Sequence, residues 1–368
     1  MLALPWALEA PDRQAGKAPF RLRGERYPMK TRILICDDSA MARKQMARAL
    51  PRDWKTEIRY AENGQEALHF IRQGDADLLL LDLNMPDMDG YQVLETIRRE
   101  DLPVMTLVVS ADIQPEARKR VTDLGAIDFV RKPVERALLA RLLEQFGLYQ
   151  PDASAPQPHN LPDDPTAPFS VGLSDFLQEV SNVAMGQAAD LLARLLKVFV
   201  QLPVPKITTV YRSELSMLLS AATEQQGTYS AVCQGFTGAG LAGEALLLFS
   251  DSTIEDMVRL LDYGDVESDA LDIEVLMDMS SILFGAFLRG VGEQMDIHLG
   301  LGQPMVLGRH RRVDHLVEYH NQRQEKLMCV EIPYRLEGYE IECDLLVFLT
   351  EESIRQLETR LPFLTGED

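Results

Sequence analysis

Between Thr31 and about Tyr149, short apolar runs alternate with amphipathic stretches, the pattern of parallel strands joined by crossover helices. The runs are Ile33 to Cys36, Leu78 to Leu81, Thr106 to Val109 and Ile127 to Val130, and a weaker one, Glu57 to Tyr60, predicts a more exposed strand. The next stretch, PDASAPQPHNLPDDPTAP, places six prolines between Pro151 and Pro168. It is too polar and too proline-rich to pack, and predicts a semi-rigid tether able to span roughly 50 Å at ~3 Å per residue. Residues 1–28 are rich in Pro, Arg and Gly without periodicity, which predicts a disordered leader ahead of Met29.

From Phe169 the chain repeats itself at an offset of 99 residues: Asn182 maps onto Ser281, Pro205 onto Pro304 and Phe249 onto Phe348. The offset then becomes 100, matching Ile254 with Ile354. Each copy reads as a long helix, then strands, then a short helix (Thr253 to Leu261, Glu352 to Leu361), which predicts a pseudo-two-fold α/β domain. The predicted organisation is therefore a leader over 1–28, a first domain over 29–149, a linker over 150–168 and a duplicated domain over 169–368.

Composition narrows the function classes. With 46% apolar residues in 368, the chain has material for more than one core. A formal charge of −20 argues against nucleic acid as a partner, because phosphate backbones are bound by clustered Lys and Arg; it suits basic partners or metals. The short basic run Arg309 to Arg312 sits among acids and predicts a solvated loop, and His298, His310, His315 and His320 lack metal-site spacing. Cys36, Cys233, Cys329 and Cys343 stand singly in apolar runs, which predicts buried thiols in a reducing, cytoplasmic compartment. No apolar run approaches the ~20 residues of a membrane helix.

In the first domain the polar residues fall at the C-terminal ends of the apolar runs, where open parallel sheets place their ligands. Asp37 and Asp38 follow the first run, Asp82 the third, Ser110 the fourth and Lys132 the fifth. Carboxylates held close together repel by ~4 kcal/mol per pair at an effective dielectric of 20, so such a site takes up protons or a divalent cation, and oxygen ligands favour Mg²⁺. Asp82 opens DLNMPDMDG, where Pro86 and Gly90 shape a sharp loop that leaves the carboxylate free to act as a nucleophile. Lys132 supplies a point charge and Ser110 a hydroxyl for phosphoryl oxygens, and the Lys132–Pro133 bond is one that can adopt cis. Ser39 is placed to cap the following helix.

These residues closely resemble the CheY-like receiver family over about 120 residues, with every motif position filled. The resemblance implies a doubly wound, five-stranded parallel fold with Asp82 as phosphoacceptor. Asp38, Asp82 and the Asn84 carbonyl would be the Mg²⁺ ligands, with Asp37 as an outer ligand. Ser110 and Phe129 would form the switch pair, with Phe129 equally readable as a core aromatic. The implied phosphodonor is a sensor histidine kinase or a phosphotransfer protein.

The helix beginning near Ser174 carries the other candidate chemistry. At 100° per residue, Asp175, Glu179, Asn182 and Gly186 fall within about 60° of one another, while Leu177, Val180, Ala184, Ala188, Leu191 and Leu195 lie opposite. The acid and the amide are thereby expected on one exposed ridge. A solvated helix face gives the same stripe, but here Asp175, Glu179 and Asn182 are followed after twenty-two residues by Pro205. That spacing, with VAMGQAADLLARLL, LPVPKITTV and the duplication, resembles the CheC and CheX phosphatases of phosphorylated CheY-like receivers, over about 200 residues. The resemblance implies long helices over an antiparallel sheet and a place in chemotaxis-type signalling. It makes Glu179 the partner of a docked receiver's lysine and Asn182 the group that holds a water in line with the acyl phosphate. Its substrate would be a phosphorylated receiver, this chain's own included. The second copy has Glu274, Asp278 and Ser281 at the matching positions and is expected to be degenerate, since serine lacks the amide. The competing reading is a receiver-gated interaction or scaffold module in which Glu179 and Asn182 are surface residues.

Overall fold

The structure, a computed structural model, describes residues 30–151, 171–215, 228–261, 269–311, 326–339 and 341–365. The predicted leader over 1–28, residues 152–168 of the predicted linker, Arg312, His315 and His320 lie outside the described residues.

The first sheet is built from β1 (Thr31–Cys36), β2 (Thr56–Ala61), β3 (Leu78–Leu81), β4 (Met105–Ser110) and β5 (Asp128–Arg131), all parallel in the order β2-β1-β3-β4-β5. Strand alternation divides its core. Leu34, Cys36, Leu79, Leu81 and Val108 pack on one face, and Ile33, Ile35, Leu78, Leu80, Leu107 and Val109 on the other. The crossover helices α1 (Ala40–Ala49), α2 (Gly64–Arg72), α3 (Gly90–Glu100), α4 (Pro115–Asp123) and α5 (Arg136–Gln145) alternate with these strands along the chain. The strand order reverses between β1 and β3, which opens a crevice beyond Asp37, Asp38 and Asp82. As expected from its weaker apolar run, β2 is the more exposed edge strand.

The second sheet is antiparallel and eight-stranded. It comprises β6 (Val200–Gln201), β7 (Lys206–Tyr211), β8 (Tyr229–Gly238), β9 (Leu241–Ser250), β10 (Gly300–Leu301), β11 (Met305–Arg311), β12 (Lys326–Leu336) and β13 (Glu342–Leu349), ordered β10-β8-β9-β13-β12-β6. Strand β11 also pairs with β8, and β7 with β12. Each copy therefore lends its first strands to the other copy's hairpin, so neither half completes a sheet alone. The central ladder shows the symmetry directly: Phe249 faces Cys343 and Glu244 faces Phe348, and adding 99 to one pair yields the other.

Two long helices, α6 (Leu173–Leu196) and α8 (Asp269–Gln294), pack on each other and on one face of this sheet. The short helix α7 (Ile254–Leu260) and the longer α9 (Glu351–Thr365) complete the copies. The apolar stripe of α6 needs one correction. Leu177, Val180, Ala184 and Ala188 are buried, but Leu191 and Leu195 are exposed, and Leu192 and Leu196 take their place. A 24-residue helix crossing a twisted sheet rotates its contact face along its length, which a fixed 100° step does not follow. No helix of the described residues is long and apolar enough to cross a membrane. All four cysteines are free; Cys36, Cys329 and Cys343 are buried, whereas Cys233 is only half-buried.

Candidate functional site

Four strand ends converge on one buried cluster. Carboxylate oxygens of Asp37, Asp38 and Asp82 lie within 4.8 Å of one another. Lys132, just past the end of β5 and followed by a cis Pro133, places Nζ 2.7 Å from Asp37 Oδ2 and 3.2 Å from Asp82 Oδ1. The Asn84 N–H donates to Asp82 Oδ2 at 3.0 Å and the Ser39 N–H to Asp37 Oδ1 at 2.9 Å. Gly90 makes this loop possible, because a Cβ there would sit 2.3 Å from the Asp82 carbonyl oxygen. Ser39 caps α1 as expected, its side chain accepting from the Ala42 N–H. Ser110 is fully buried at the end of β4, and Phe129 is half-buried on the neighbouring β5 against the sheet core.

The second half of the chain closes over this cluster. Helix α6 lies across the crevice, and Glu179 Oε2 reaches 3.5 Å from Lys132 Nζ. Glu179 and Asn182 share one direction, as the stripe predicts, but they are not an exposed ridge: they are 3% and 2% exposed. The physical reason is tertiary, because the chain's own first domain covers the ridge. Two partners of the cluster were not legible as such in the sequence. Gln178 Nε2 donates to Asp38 Oδ2 at 2.7 Å, and nothing in its spacing sets it apart from a surface glutamine. Asp175, the first residue of the stripe, accepts from the Ala40 and Met41 N–H groups at 2.9 and 2.8 Å and so completes the cap of α1, where a carboxylate also meets the positive end of the helix.

In the second copy, Glu274, Asp278 and Ser281 are all exposed, and the Ser281 hydroxyl donates back to the Met277 carbonyl of its own helix at 2.7 Å.

The electrostatics call for a cation. Four carboxylates (Asp37, Asp38, Asp82 and Glu179) surround a single buried ammonium. Desolvation, with the neighbouring Asp82, Glu179 and Asp38 charges, pushes Asp37 well above the usual carboxylate range, although Lys132 opposes it. Desolvation and Asp82 raise Asp38 to about 7. Burial also raises Glu179, against the pull of Lys132. Burial works against the Lys132 charge, but Asp37, Asp82 and Glu179 outweigh it and hold the ammonium well above its ordinary value. Asp38 Oδ1, Glu179 Oε1, Asn182 Oδ1 and, in the loop after Asp82, Asn84 Nδ2 are buried without a hydrogen-bond partner. A hard cation with its waters, or a phosphoryl group, fits such a donor set.

The sign of the pH dependence follows. Asp38 is raised to about 7 from an unfolded value of ~3.9, so between these values the folded state holds the extra proton. Stability in EDTA therefore falls as pH rises from about 4 to about 7. Added Mg²⁺ is expected to flatten this slope and to bind more tightly as pH rises, which thermal unfolding across pH with and without Mg²⁺ measures. A slope of opposite sign, or one indifferent to Mg²⁺, contradicts the assignment.

A family model described as the response regulator receiver domain matches residues 33–144. Among curated proteins, a protein-glutamate methylesterase/protein-glutamine glutaminase of Geobacter sulfurreducens is 37% identical over 107 residues, 29% of each chain. The chain spans about three-tenths of the length of the first such relatives it matches. Among solved structures, the receiver domain of the putative response regulator NarL from Mycobacterium tuberculosis is 31% identical, with a TM-score of 0.31 over 32% of this chain and 97% of that one. FliY of Thermotoga maritima aligns with 53% of this chain and 96% of its own at 17% identity and a TM-score of 0.41. With the parallel sheet, the strand-end carboxylates and the family match in agreement, residues 33–144 are a response regulator receiver domain.

Proposed function

We propose that this chain is a response regulator phosphorylated on Asp82 whose C-terminal half, residues 169–368, hydrolyses aspartyl phosphate on a receiver. The observation that carries the reading is the placement of α6, which lays Glu179 and Asn182 over the Asp37, Asp38, Asp82 and Lys132 cluster. The likeness of the Asp175, Glu179, Asn182 and Pro205 spacing to the CheC and CheX phosphatases supports it.

Asp37, Asp38 and Asp82, with the Asn84 carbonyl, would hold Mg²⁺, which when bound screens the carboxylates and the phosphoryl oxygens from one another. Lys132 and Ser110 take the remaining phosphoryl charge. Glu179 fixes the helix by its contact with Lys132. Asn182 presents a buried, unpartnered carboxamide oxygen that can accept from a water, and an amide does not titrate, so the water is held without a strong base. Phosphoryl transfer asks for little more than such positioning. Ser110 and Phe129 would report the phosphorylated state.

The phosphodonor would be a sensor histidine kinase or a phosphotransfer protein. The scaffold alternative keeps the receiver and drops the hydrolysis. It is favoured only by the completeness of the packed interface, and it leaves the orphaned Asn182 and Glu179 oxygens without a role.

The test is phosphorylation of the full chain by acetyl phosphate with Mg²⁺, followed by phosphate release. Asp82→Asn is expected to abolish phosphorylation and release together. Release that persists in Asp82→Asn, or phosphate that is stable in the intact chain for as long as in an Asn182 variant, defeats the proposal.

A further inference from the structure

Glu179 and Asn182 account for only part of the way α6 and its sheet hold the receiver. Gly186 lies so close to the loop after β4 that a Cβ would sit 2.0 Å from the Ala111 carbonyl oxygen. Four residues on from Ser110 comes Gln114, which is 1% exposed and treats β6 as a neighbouring strand would. Its Nε2 donates to the Val200 carbonyl at 2.8 Å, and its Oε1 accepts from the Val200 N–H at 2.9 Å. The Gln114 N–H and Nε2 both donate to Asp112 Oδ1 at 3.0 Å, and the Asp112 N–H donates to Ser110 Oγ at 3.1 Å. A buried string of hydrogen bonds thus runs from the receiver's strand-end hydroxyl to the edge of the second sheet. Nearby, the Arg120 guanidinium lies 4.2 Å from the centre of the Phe199 ring and 2.5 Å from Glu337.

Resting on the phosphatase reading above, we propose that the phosphate attacked by this helix is the one on Asp82 of its own chain, and that Gln114 selects it by pairing with Val200. A carboxamide both donates to and accepts from one residue's backbone at that spacing, and does so without titrating. A receiver with another residue there would bury the Val200 N–H and carbonyl unpaired, at roughly tenfold in docking for each group. A receiver on the same chain also presents itself at an effective concentration on the order of mM, which free receivers do not match. In the step itself, a water oxygen bonds to phosphorus and the bond from phosphorus to the Asp82 oxygen breaks. Its electron pair stays on the carboxylate, and both water protons leave with inorganic phosphate.

Full chains loaded with acetyl phosphate and Mg²⁺ and then freed of donor decide this, with Asp82 phosphate followed by phosphate-affinity electrophoresis. In the wild type, loss is expected to be first order and independent of chain concentration across a ~100-fold range. An Asn182→Ala chain should keep its phosphate even when an equimolar Asp82→Asn, Gln114→Ala chain, whose own receiver is unlatched, is added. Gln114→Ala alone should slow loss by up to about 100-fold, about tenfold for each Val200 group left unpaired, while loading as fast as the wild type or faster, since the crevice opens. A damaged receiver would instead load slowly. Gly186→Ala should also slow loss, although alanine is the better helix former. Loss that speeds up with concentration, or rescue of Asn182→Ala by the added chain, overturns selection in cis and leaves the phosphatase reading standing. Loss from Gln114→Ala at the wild-type rate overturns the role of Gln114. Equal lifetimes in wild type and Asn182→Ala overturn the phosphatase reading itself.

Discussion

Asn182→Ala is expected to lengthen the life of the phosphate on Asp82 by about 10²-fold without lowering the melting temperature by more than a few degrees. The kinetic effect is large because a loose transition state gains mainly from a water held in line, and misplacing that water by an ångström forfeits most of the gain. The stability effect is small because Asn182 Oδ1 makes no hydrogen bond in the packed structure, so its removal breaks none there. Truncation removes a buried polar atom that has no partner. The measurement is phosphate loss from matched wild-type and variant chains. A lifetime within twofold of the wild type would mean that the amide does not position the attacking water.

Lys132→Met has the largest expected effect on stability. Its ammonium pairs with the side chains of Asp37, Asp82 and Glu179, all almost wholly buried. Methionine keeps the length of the side chain and deletes the charge, leaving carboxylates that can be neutralised only by protons or a metal. Breaking a buried pair in this way costs ~3–5 kcal/mol, more than the pair itself contributed, because the stranded charge has lost water as well as its partner. The urea midpoint in EDTA at pH 8 should fall by the corresponding amount. Mg²⁺, or a second Asp37→Asn substitution, should restore part of the loss. An unchanged midpoint would show that the cluster is solvated and that Lys132 carries little of its charge balance.

Much of the receiver was legible because its signals are local. Leu78 to Leu81 is an uninterrupted apolar run, which a strand covered on both faces requires, and the polar residues Asp37, Asp38, Asp82, Ser110 and Lys132 within two positions of four of the runs mark the crevice. The duplication was legible for a different reason. A fixed offset survives wherever two copies must supply matching strands, and the Phe249–Cys343 and Glu244–Phe348 pairs show that need. The stripe on α6 gave the shared direction of Glu179 and Asn182, because helical geometry alone sets it.

What the stripe faces could not be read. A polar ridge looks the same whether water or a carboxylate cluster lies opposite, so Glu179 and Asn182 read as exposed although the receiver buries them. Gln178, Gln114 and the Gly186 contact were invisible for the same cause, since their partners Asp38, Val200 and Ala111 lie scores of residues away and carry no period. Leu191 and Leu195 failed because the contact face of a long helix turns with the sheet beneath it. The sequence by itself determined the strands of the parallel sheet, the strand-end acids and which side chains share a helix face, all consequences of short-range backbone periodicity. Only the tertiary structure decided that this face covers the chain's own receiver, because burial and charge pairing between distant segments depend on where the chain returns in space.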